Sequence, residues 1–487
     1  MNPAAFYPSS TDFLRFLPEI ILTLGGIALL ILEALTGDDK DKTGLGYTAI
    51  AIIGAAMVAT TVAYAHPGVS FSGMIVSDGF AAFFRMVTLL VGLLTILCST
   101  SYLSREKSNS GEFYLLILFS LAGQGVMVAT NELIMVFIGL EITSISSYIL
   151  AGFLRDDKRG SEASLKYFLL GSFATAFLLY GISWIYGVTG ATNLVAIREA
   201  LDKGVAAPMM AAAAAALLLV GLAFKISAAP FQSWAPDVYQ GAPSPVSGFL
   251  SAAPKAAAFA VLLRIFQTSF ETLAPRYEPV IWLMALLTMT IGNFAALWQT
   301  NVKRMLAYSS IAHAGYVLVA VSTHSNVGTA AAMFYLAAYG LMNLGVFAAI
   351  SHFGGKEEKH VLIDDLKGLA VRQPVVAGLV AVCLLSLLGM PLTGGFFGKF
   401  YIFKAAIDRE FFWLSALGLL NSAVAAYYYL RVLVAMYMHV PQSEHLAGPV
   451  PGGVRLTLWF SAAGILALGI FPGWVLDYAN QFATFVK

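Results

Sequence analysis

Cysteine is nearly absent from this sequence: Cys98 and Cys383 are the only two in 487 residues. Both lie inside apolar runs, which excludes a disulfide framework and a thiolate metal site and leaves them as small buried hydrophobes. Charge is scarce as well. Charged residues make up 11% of the chain, against roughly 25% in an ordinary soluble domain. The formal net charge is +1 and no basic tract occurs, so nothing points to nucleic acid as a partner. The opening residues, MNPAAFYPSSTDFLRFLPEI, lack the basic start of a signal peptide and run straight into an apolar stretch, which is expected to be a retained first helix. Glycine-rich pieces such as GGFFGKF have neither the spacing nor the strand context of a phosphate-binding loop.

What the chain does have is apolar sequence, 59% of its residues. Runs near 20 residues long are the length needed to cross about 30 Å of hydrocarbon. They fall at approximately 14–36, 45–65, 77–100, 112–129, 132–153, 162–187, 209–235, 245–268, 277–299, 304–322, 327–352, 375–404, 411–437 and 455–477. The expected fold is therefore an all-α polytopic membrane protein of about fourteen transmembrane helices. No stretch reads as a soluble domain, and the longer polar segments, such as Gly355–Arg372, are expected to be loops. When the loops are placed alternately on two sides, 14 of the loop Lys and Arg, including Lys40, Lys42, Arg105, Arg155, Lys356 and Arg372, gather on one of them against 8 on the other. By the positive-inside rule that side is cytoplasmic and both termini lie outside.

The organising stretch is Gly221–Lys255, GLAFKISAAPFQSWAPDVYQGAPSPVSGFLSAAPK. A helix reaching Lys225 loses its regular backbone bonds near Pro230, because proline has no N–H and its ring clashes with the preceding turn. Irregular backbone at membrane depth persists only where protein or a water-filled cavity surrounds it, and a nearby ammonium group has the same need. Span 12 repeats the theme, with Pro391 ahead of Lys399. Spans 4–8 and 9–13 thus form two sets of five with a broken fourth member in each. An odd number of helices inverts the second copy, the arrangement of transporters with chemistry near the midplane. The expected divisions are an N-terminal three-helix segment at 1–110, a first repeat at 111–270, an inverted second repeat at 271–440 and a C-terminal helix at 441–487.

Ionisable residues at this depth are expensive, about 2.5–3.5 kcal/mol each at a helix centre, and point to function. Glu141 sits mid-span in FIGLEITSISSYIL, followed by Thr143, Ser144, Ser146 and Ser147. Lys225 and Lys255 are equally deep, and Lys399 lies in the second broken helix. Lys166 is one turn into span 6, with Glu141 on the neighbouring helix as its expected partner. His313 is central in span 10, beside Ser309 and Ser310. Arg85 and Arg431 read as structural, Arg85 with Asp78 two turns away on the same helix face. Burial lowers the proton affinity of a lysine and a carboxylate raises it, so a series of such lysines has adjustable affinity. Side chains this far apart need ordered water between them.

The segments FIGLEITSISSYILAGF, SEASLKYFLLGSFATAFLLYG, GLAFKISAAPFQSWAPDVYQGAPSPVSGFL, NVKRMLAYSSIAHAGY and GMPLTGGFFGKFY closely resemble the proton-translocating, antiporter-like subunits of respiratory complex I. Among these they are most similar to the subunit N branch of NADH-quinone oxidoreductase, whose mitochondrial counterpart is NADH dehydrogenase subunit 2. The resemblance is strong over roughly residues 75–440 and looser in the outer helices. It implies a fourteen-helix fold with two inverted five-helix repeats. It also implies a proton relay in which Glu141 pairs with Lys166, Lys225 belongs to the first broken helix, Lys255 connects, and Lys399 exchanges protons with the outer side. His313 falls in a motif where the family also carries histidine, and Lys303 at the edge of that motif is expected to be a surface or interface charge. The family assigns FMN, iron–sulfur clusters and quinone to other subunits and none to this chain. It implies other membrane-arm subunits, including sister antiporter-like subunits, as partners, together with the lipid bilayer, protons and water, in a bacterial inner membrane. Sisters L and M differ after the first broken helix, and L continues into a long lateral helix where this chain stops at Lys487. Multisubunit sodium/proton antiporters share the core and are the rival class, one without redox coupling; the YQGAPSPV wording favours subunit N.

Overall fold

A computed structural model of the chain describes residues 7–37, 42–108, 110–205, 207–441, 446 and 448–485. The terminal residues on which the expected outside placement of the chain ends turns, and Lys40 and Lys487, lie outside the described residues. The helices are α1 Ser10–Arg15, α2 Leu17–Leu35, α3 Thr43–Tyr64, α4 Gly79–Arg105, α5 Gly111–Val128, α6 Leu133–Ala151, α7 Lys158–Thr189, α8 Leu194–Asp202, α9 Pro208–Ile226 and α10 Trp234–Gly241. They continue as α11 Ser244–Thr268, α12 Ala274–Leu297, α13 Val302–Ser322, α14 Asn326–Phe353, α15 Leu369–Arg372, α16 Pro374–Leu388, α17 Gly394–Asp408, α18 Phe412–Met438, α19 Gly452–Ile470 and α20 Gly473–Phe482. A two-stranded ribbon, Gly68–Ser70 with Ile75–Ser77, joins α3 to α4. Among the described residues, 13 helices are long and apolar enough to cross a membrane. The remaining expected span is the broken pair α16 and α17.

The turns that separate spans are written locally. Asp78 caps α4 by accepting from the Ala81 N–H at 2.7 Å, and Asn301 caps α13 by accepting from the Arg304 N–H at 3.1 Å. Each side chain satisfies a backbone donor that the first helical turn leaves open. Gly355–Arg372, read from sequence as a loop, contains two 3₁₀ turns, Lys356–Glu358 and Ile363–Leu366, and α15.

Both broken spans use one device. The α9 helix ends at Ser227, in the left-handed region at φ 60, with Ala228 N–H donating to Ala223 O at 2.8 Å and Ser227 N–H to Phe224 O at 3.0 Å. The α16 helix ends at Gly389, φ 99, with Met390 N–H donating to Leu385 O at 2.9 Å and Gly389 N–H to Ser386 O at 3.0 Å. This is the six-to-one and five-to-two bonding of a Schellman ending. The interruption thus begins three residues ahead of Pro230 and two ahead of Pro391. The prolines prevent the helix from resuming; the left-handed residue stops it.

The first two members of each five-helix set also cross alike. A Cβ on Gly123 of α5 would lie 2.6 Å from Gly139 O of α6, and one on Gly292 of α12 would lie 2.5 Å from Ala312 N of α13. Only glycine permits backbones to approach so closely, the small-residue packing typical of helices in lipid. Nearly every residue of α11, α13 and α14 is buried, so these helices form the centre. Large apolar side chains such as Leu24, Phe173, Tyr180, Leu420 and Tyr427 are exposed on α2, α7 and α18, as expected of helices facing lipid.

Three buried ion pairs correct the sequence reading of charges. Arg85 does not pair with Asp78: it forms a two-pronged bond to Glu19 of α2, at 2.7 and 2.9 Å, both side chains 2% exposed. Asp78, at the cap of α4 rather than on its face, takes Arg264 of α11 at 2.9 and 3.0 Å. Arg264 is a buried residue of α11. Lys303 is not on the surface either. It is fully buried, bonded to Ala242 O at 2.5 Å and to the Glu358 carboxylate. Arg431 donates to Leu297 O at 3.0 Å and to Gln299 O, a structural role as expected.

Candidate proton path

The residues singled out from sequence fall into two centres. In the first, Lys225 lies on the last turn of α9, two residues before the break. Its Nζ donates to Ser144 Oγ of α6 at 2.8 Å and lies 3.4 Å from Tyr167 OH of α7. The rings of Tyr167 and Tyr148 lie 5.5 and 5.9 Å from it, within cation–π range. Ser144 is one helical turn from Glu141 on α6. Trp234 closes the break, its Nε1 donating to Phe224 O at 2.9 Å while its ring stacks on Tyr167 at 4.4 Å and 5°.

The structure does not bring Lys166 and Glu141 together. Lys166 Nζ bonds Asp237 Oδ2 of α10 at 2.9 Å and Glu162 Oε1, one turn back on α7, at 2.8 Å. Its side chain is 44% exposed. Asp237 in turn takes Arg304 at 2.7 Å on its other oxygen.

The second centre surrounds α13. Lys255 of α11 donates to Ser310 Oγ at 2.5 Å and Ser310 O at 3.0 Å. His313, one turn further along α13, engages both ring nitrogens, Nδ1 with Tyr335 OH at 2.5 Å and Nε2 with Tyr429 OH at 2.9 Å. Tyr429 OH also bonds Ser309. A neutral imidazole donates from one nitrogen and accepts at the other, so the two phenols hold His313 in a directional chain that reverses when the tautomer changes. Beyond it, Tyr428 OH donates to Asn293 Oδ1 at 3.0 Å, and Asn293 Nδ2 to Tyr316 OH at 3.2 Å.

Lys399 stands over the Tyr316 ring, Nζ 4.9 Å from its centroid. It donates to Leu387 O at 3.1 Å, Leu388 O at 2.9 Å and Ser422 Oγ at 2.9 Å. The first two acceptors are carbonyls left open where α16 ends, so the ammonium sits at the negative end of that helix. A cavity of about 590 Å³ opens beside Lys399 and Gly389, against Phe396, Phe400 and Ser422.

Lys225, Lys255 and Lys399 thus share one property. Each is buried, and among the described residues none has a carboxylate within salt-bridge distance. Their partners are hydroxyls, carbonyls and aromatic faces. Sequence reasoning missed Tyr167, Tyr316, Tyr335, Tyr429, Asn293 and Asp237; the available signal was a tyrosine or asparagine hydrogen-bonding group in the middle of an apolar span.

Residues 130–425 match the family described as NADH:quinone oxidoreductase/Mrp antiporter, transmembrane. The chain belongs to this family. The match takes in the first centre and all of the second except Tyr428 and Tyr429. Relatives similar over full length include NADH-quinone oxidoreductase subunit N 1 of Solibacter usitatus, 57% identical with 99% of each chain covered, and subunit N of Trichlorobacter lovleyi, 45% identical with 96% of each covered. Among solved structures, a chain of respiratory complex I from Thermus thermophilus is 36% identical, covers 94% of this chain and 98% of its own, and superposes with a TM-score of 0.81. A chain of the Mrp complex from Dietzia, 22% identical, superposes with a TM-score of 0.83, covering 97% of each chain, and shares the fold. Within the family, the full-length relatives place this multi-pass membrane protein among the subunit N chains.

Proposed function

We propose that the chain is the proton-translocating subunit N of the membrane arm of an NADH-quinone oxidoreductase, moving protons through Glu141, Lys166, Lys225, Lys255, His313 and Lys399 with water between them. The observation that carries the reading is the set of three buried lysines with neutral partners. An ammonium bonded to serine hydroxyls and carbonyls gives up its proton without stripping a carboxylate of its counter-ion. The resulting amine still accepts from the Ser144, Ser310 or Ser422 hydroxyl, so neither state leaves a buried group unpartnered. Each proton released to a bridging water is replaced by one from the preceding group. At the far end, Lys399 is the group that exchanges with the outer side.

The divisions at 111–270 and 271–440 correspond on this reading to two half-channels, with 1–110 and 441–487 flanking them. The similar crossings of α5 with α6 and of α12 with α13, and the matching breaks, support that division. The chain works beside other membrane-arm subunits, including sister antiporter-like subunits, in a bacterial inner membrane with both termini on the periplasmic side. FMN, iron–sulfur clusters and quinone belong to its partners, and energy from electron transfer reaches this chain through them.

The test is Lys225→Ala in inverted membrane vesicles at equal complex content. Loss of NADH-driven quinone reduction and proton uptake, with electron transfer to a hydrophilic acceptor preserved, is the expected result. Unchanged NADH oxidation and pumping with loss of sodium/proton exchange overturns it in favour of an antiporter without redox coupling.

A further inference from the structure

The cavity of about 590 Å³ beside Lys399 is a groove between α17 and α18. Phe400, Ile407 and Leu419 on its walls are each about half exposed, so it opens on the side of the bundle that meets hydrocarbon. We propose that this groove holds one acyl chain of a phospholipid, with the lipid phosphate bound by Lys404. The proposal goes beyond the proton path and does not require that Lys399 carry protons.

The lining excludes a water channel. Its walls are aromatic and aliphatic, and among the described residues the only polar side chains on them are Lys399, Lys404 and Ser422. An ammonium has three N–H donors. Those of Lys399 go to Leu387 O, Leu388 O and Ser422 Oγ, so none is left to hold water in the groove. Ordered water needs at least two polar partners, which these walls do not supply. Hydrocarbon beside Lys399, by contrast, leaves no donor unsatisfied.

The dimensions fit a chain rather than a helix. Along α17 the groove runs from Phe396 to Ile407, about 16 Å at the helical rise, or close to half of the roughly 30 Å hydrocarbon layer. It thus spans one leaflet. A helix with its side chains is about 10 Å across and over that length needs about twice the volume available. One end of the groove is the break at Leu388 and Gly389; the other lies below the short turn between α17 and α18. Phe412 and Trp413 just after that turn are 60% and 78% exposed, and exposed aromatic rings at a helix end mark headgroup level.

Lys404 lies one turn inside that level, on the groove wall. It is exposed and makes no hydrogen bond or ion pair among the described residues. A lysine at this depth extends its stem along the apolar surface and carries its ammonium to the headgroups, where phosphate is the acceptor. Arg409, the other cation at the turn, is already drawn to Glu278 at 3.8 Å. Asp408 and Glu410 are exposed at the same turn and suit the amine of a zwitterionic headgroup.

The test uses the intact complex in phosphatidylcholine vesicles with traces of two probes, a phosphatidylethanolamine and a diacylglycerol. Each carries a diazirine at mid-chain, and labelled residues are mapped by mass spectrometry after illumination. The phosphatidylethanolamine is expected to label Phe400, Phe403 or Leu419 several-fold more than other exposed apolar residues such as Leu24 and Phe173. Ala423→Trp fills the groove from an exposed position and is expected to bring that labelling down to the level of Leu24 and Phe173. The diacylglycerol is expected to label the groove several-fold less, and Lys404→Gln to remove the difference between the probes. Groove labelling no stronger than that of Leu24 and Phe173 in the native chain overturns the proposal, and so does a sister subunit cross-linked there in place of lipid. Equal labelling by the two probes overturns the role of Lys404. The native-chain comparison needs no variant, so poor assembly of Ala423→Trp leaves the test standing. None of these readouts is proton uptake, so failure of the lipid site and failure of the relay are told apart.

Discussion

Lys303 and Lys225 are both buried lysines on helices of the same bundle, yet they are held in opposite ways. Lys303 is locked to the Glu358 carboxylate, which also accepts from Ser244 N–H at 2.7 Å and Tyr102 OH at 2.9 Å. One buried charge pair thus ties α4, α11 and α13 together at the end of the bundle where the α14–α15 connection folds in. Arg85 with Glu19 and Arg264 with Asp78 are built likewise. Lys225, Lys255 and Lys399 are offered hydroxyls, carbonyls and rings. The contrast separates two uses of buried charge. A carboxylate partner fixes the proton and makes the pair a rivet; neutral partners leave the proton free to leave. Burial of a lysine alone distinguishes neither.

The comparison breaks most sharply if a mobile site is turned into a rivet. Ser144→Asp places a carboxylate where Lys225 now has a hydroxyl. An opposite charge that close strengthens proton binding by about tenfold or more, so NADH-driven proton uptake is expected to fall by a similar factor or to background. Assembled complex and electron transfer to a hydrophilic acceptor should persist. Wild-type pumping in this variant refutes the idea that neutral partners matter.

The reverse experiment turns a rivet loose. Glu358→Gln leaves the Lys303 ammonium buried without its counter-ion, a change of about 3–5 kcal/mol against the folded state. The expected readout is a lower unfolding midpoint of the detergent-solubilised complex, or reduced assembly, with turnover per assembled complex close to wild type. The pH dependence follows from the same pair. Burial alone pushes the Glu358 carboxyl upward, but the Lys303 ammonium and the hydrogen bonds with Lys303 and Ser244 outweigh it and hold the carboxyl below its ordinary value of 4.5. A depressed carboxyl stabilises fully above the ordinary value and loses that contribution as pH falls through the lower, folded one. The unfolding midpoint should therefore drop below about pH 4.5 in the native chain and drop less in Glu358→Gln.

Much of this division was invisible in the linear chain, for a physical reason. Depth and backbone chemistry are local: a lysine mid-span and a proline nearby mark Lys225 and Lys399 as buried beside broken helices. Partners are not local. Glu19 lies 66 residues from Arg85, Asp78 lies 186 from Arg264, and Glu358 lies 55 from Lys303. No helical periodicity connects such pairs, so the linear chain pairs Arg85 with the nearest carboxylate on its own run and Lys166 with Glu141 on a neighbouring helix. The tyrosines were hidden differently. Tyr316, Tyr335 and Tyr429 are grouped with the hydrophobic residues in the composition of the chain, and their rings do pack as core; only the fold reveals that their hydroxyls converge on His313 and Asn293.

The smallest effect expected is also the finest discrimination, between a proton wire and a packed aromatic cluster around His313. Tyr429→Phe keeps the ring and removes the hydroxyl that bonds His313 Nε2 and Ser309. As a loss of structure this is worth about 0.5–1.5 kcal/mol, too little to disturb assembly. As a loss of relay it leaves one imidazole nitrogen without its phenol, and a tautomer change no longer passes a proton onward. Proton uptake is then expected to fall several-fold while the unfolding midpoint moves by a few degrees at most. Tyr428→Phe is the comparison on the next residue, because its hydroxyl bonds Asn293 at 3.0 Å and reaches the histidine only through the Tyr429 hydroxyl. Equal small effects from both variants assign the cluster to packing, and a pumping defect confined to Tyr429→Phe places the histidine among the mobile-proton sites rather than the rivets.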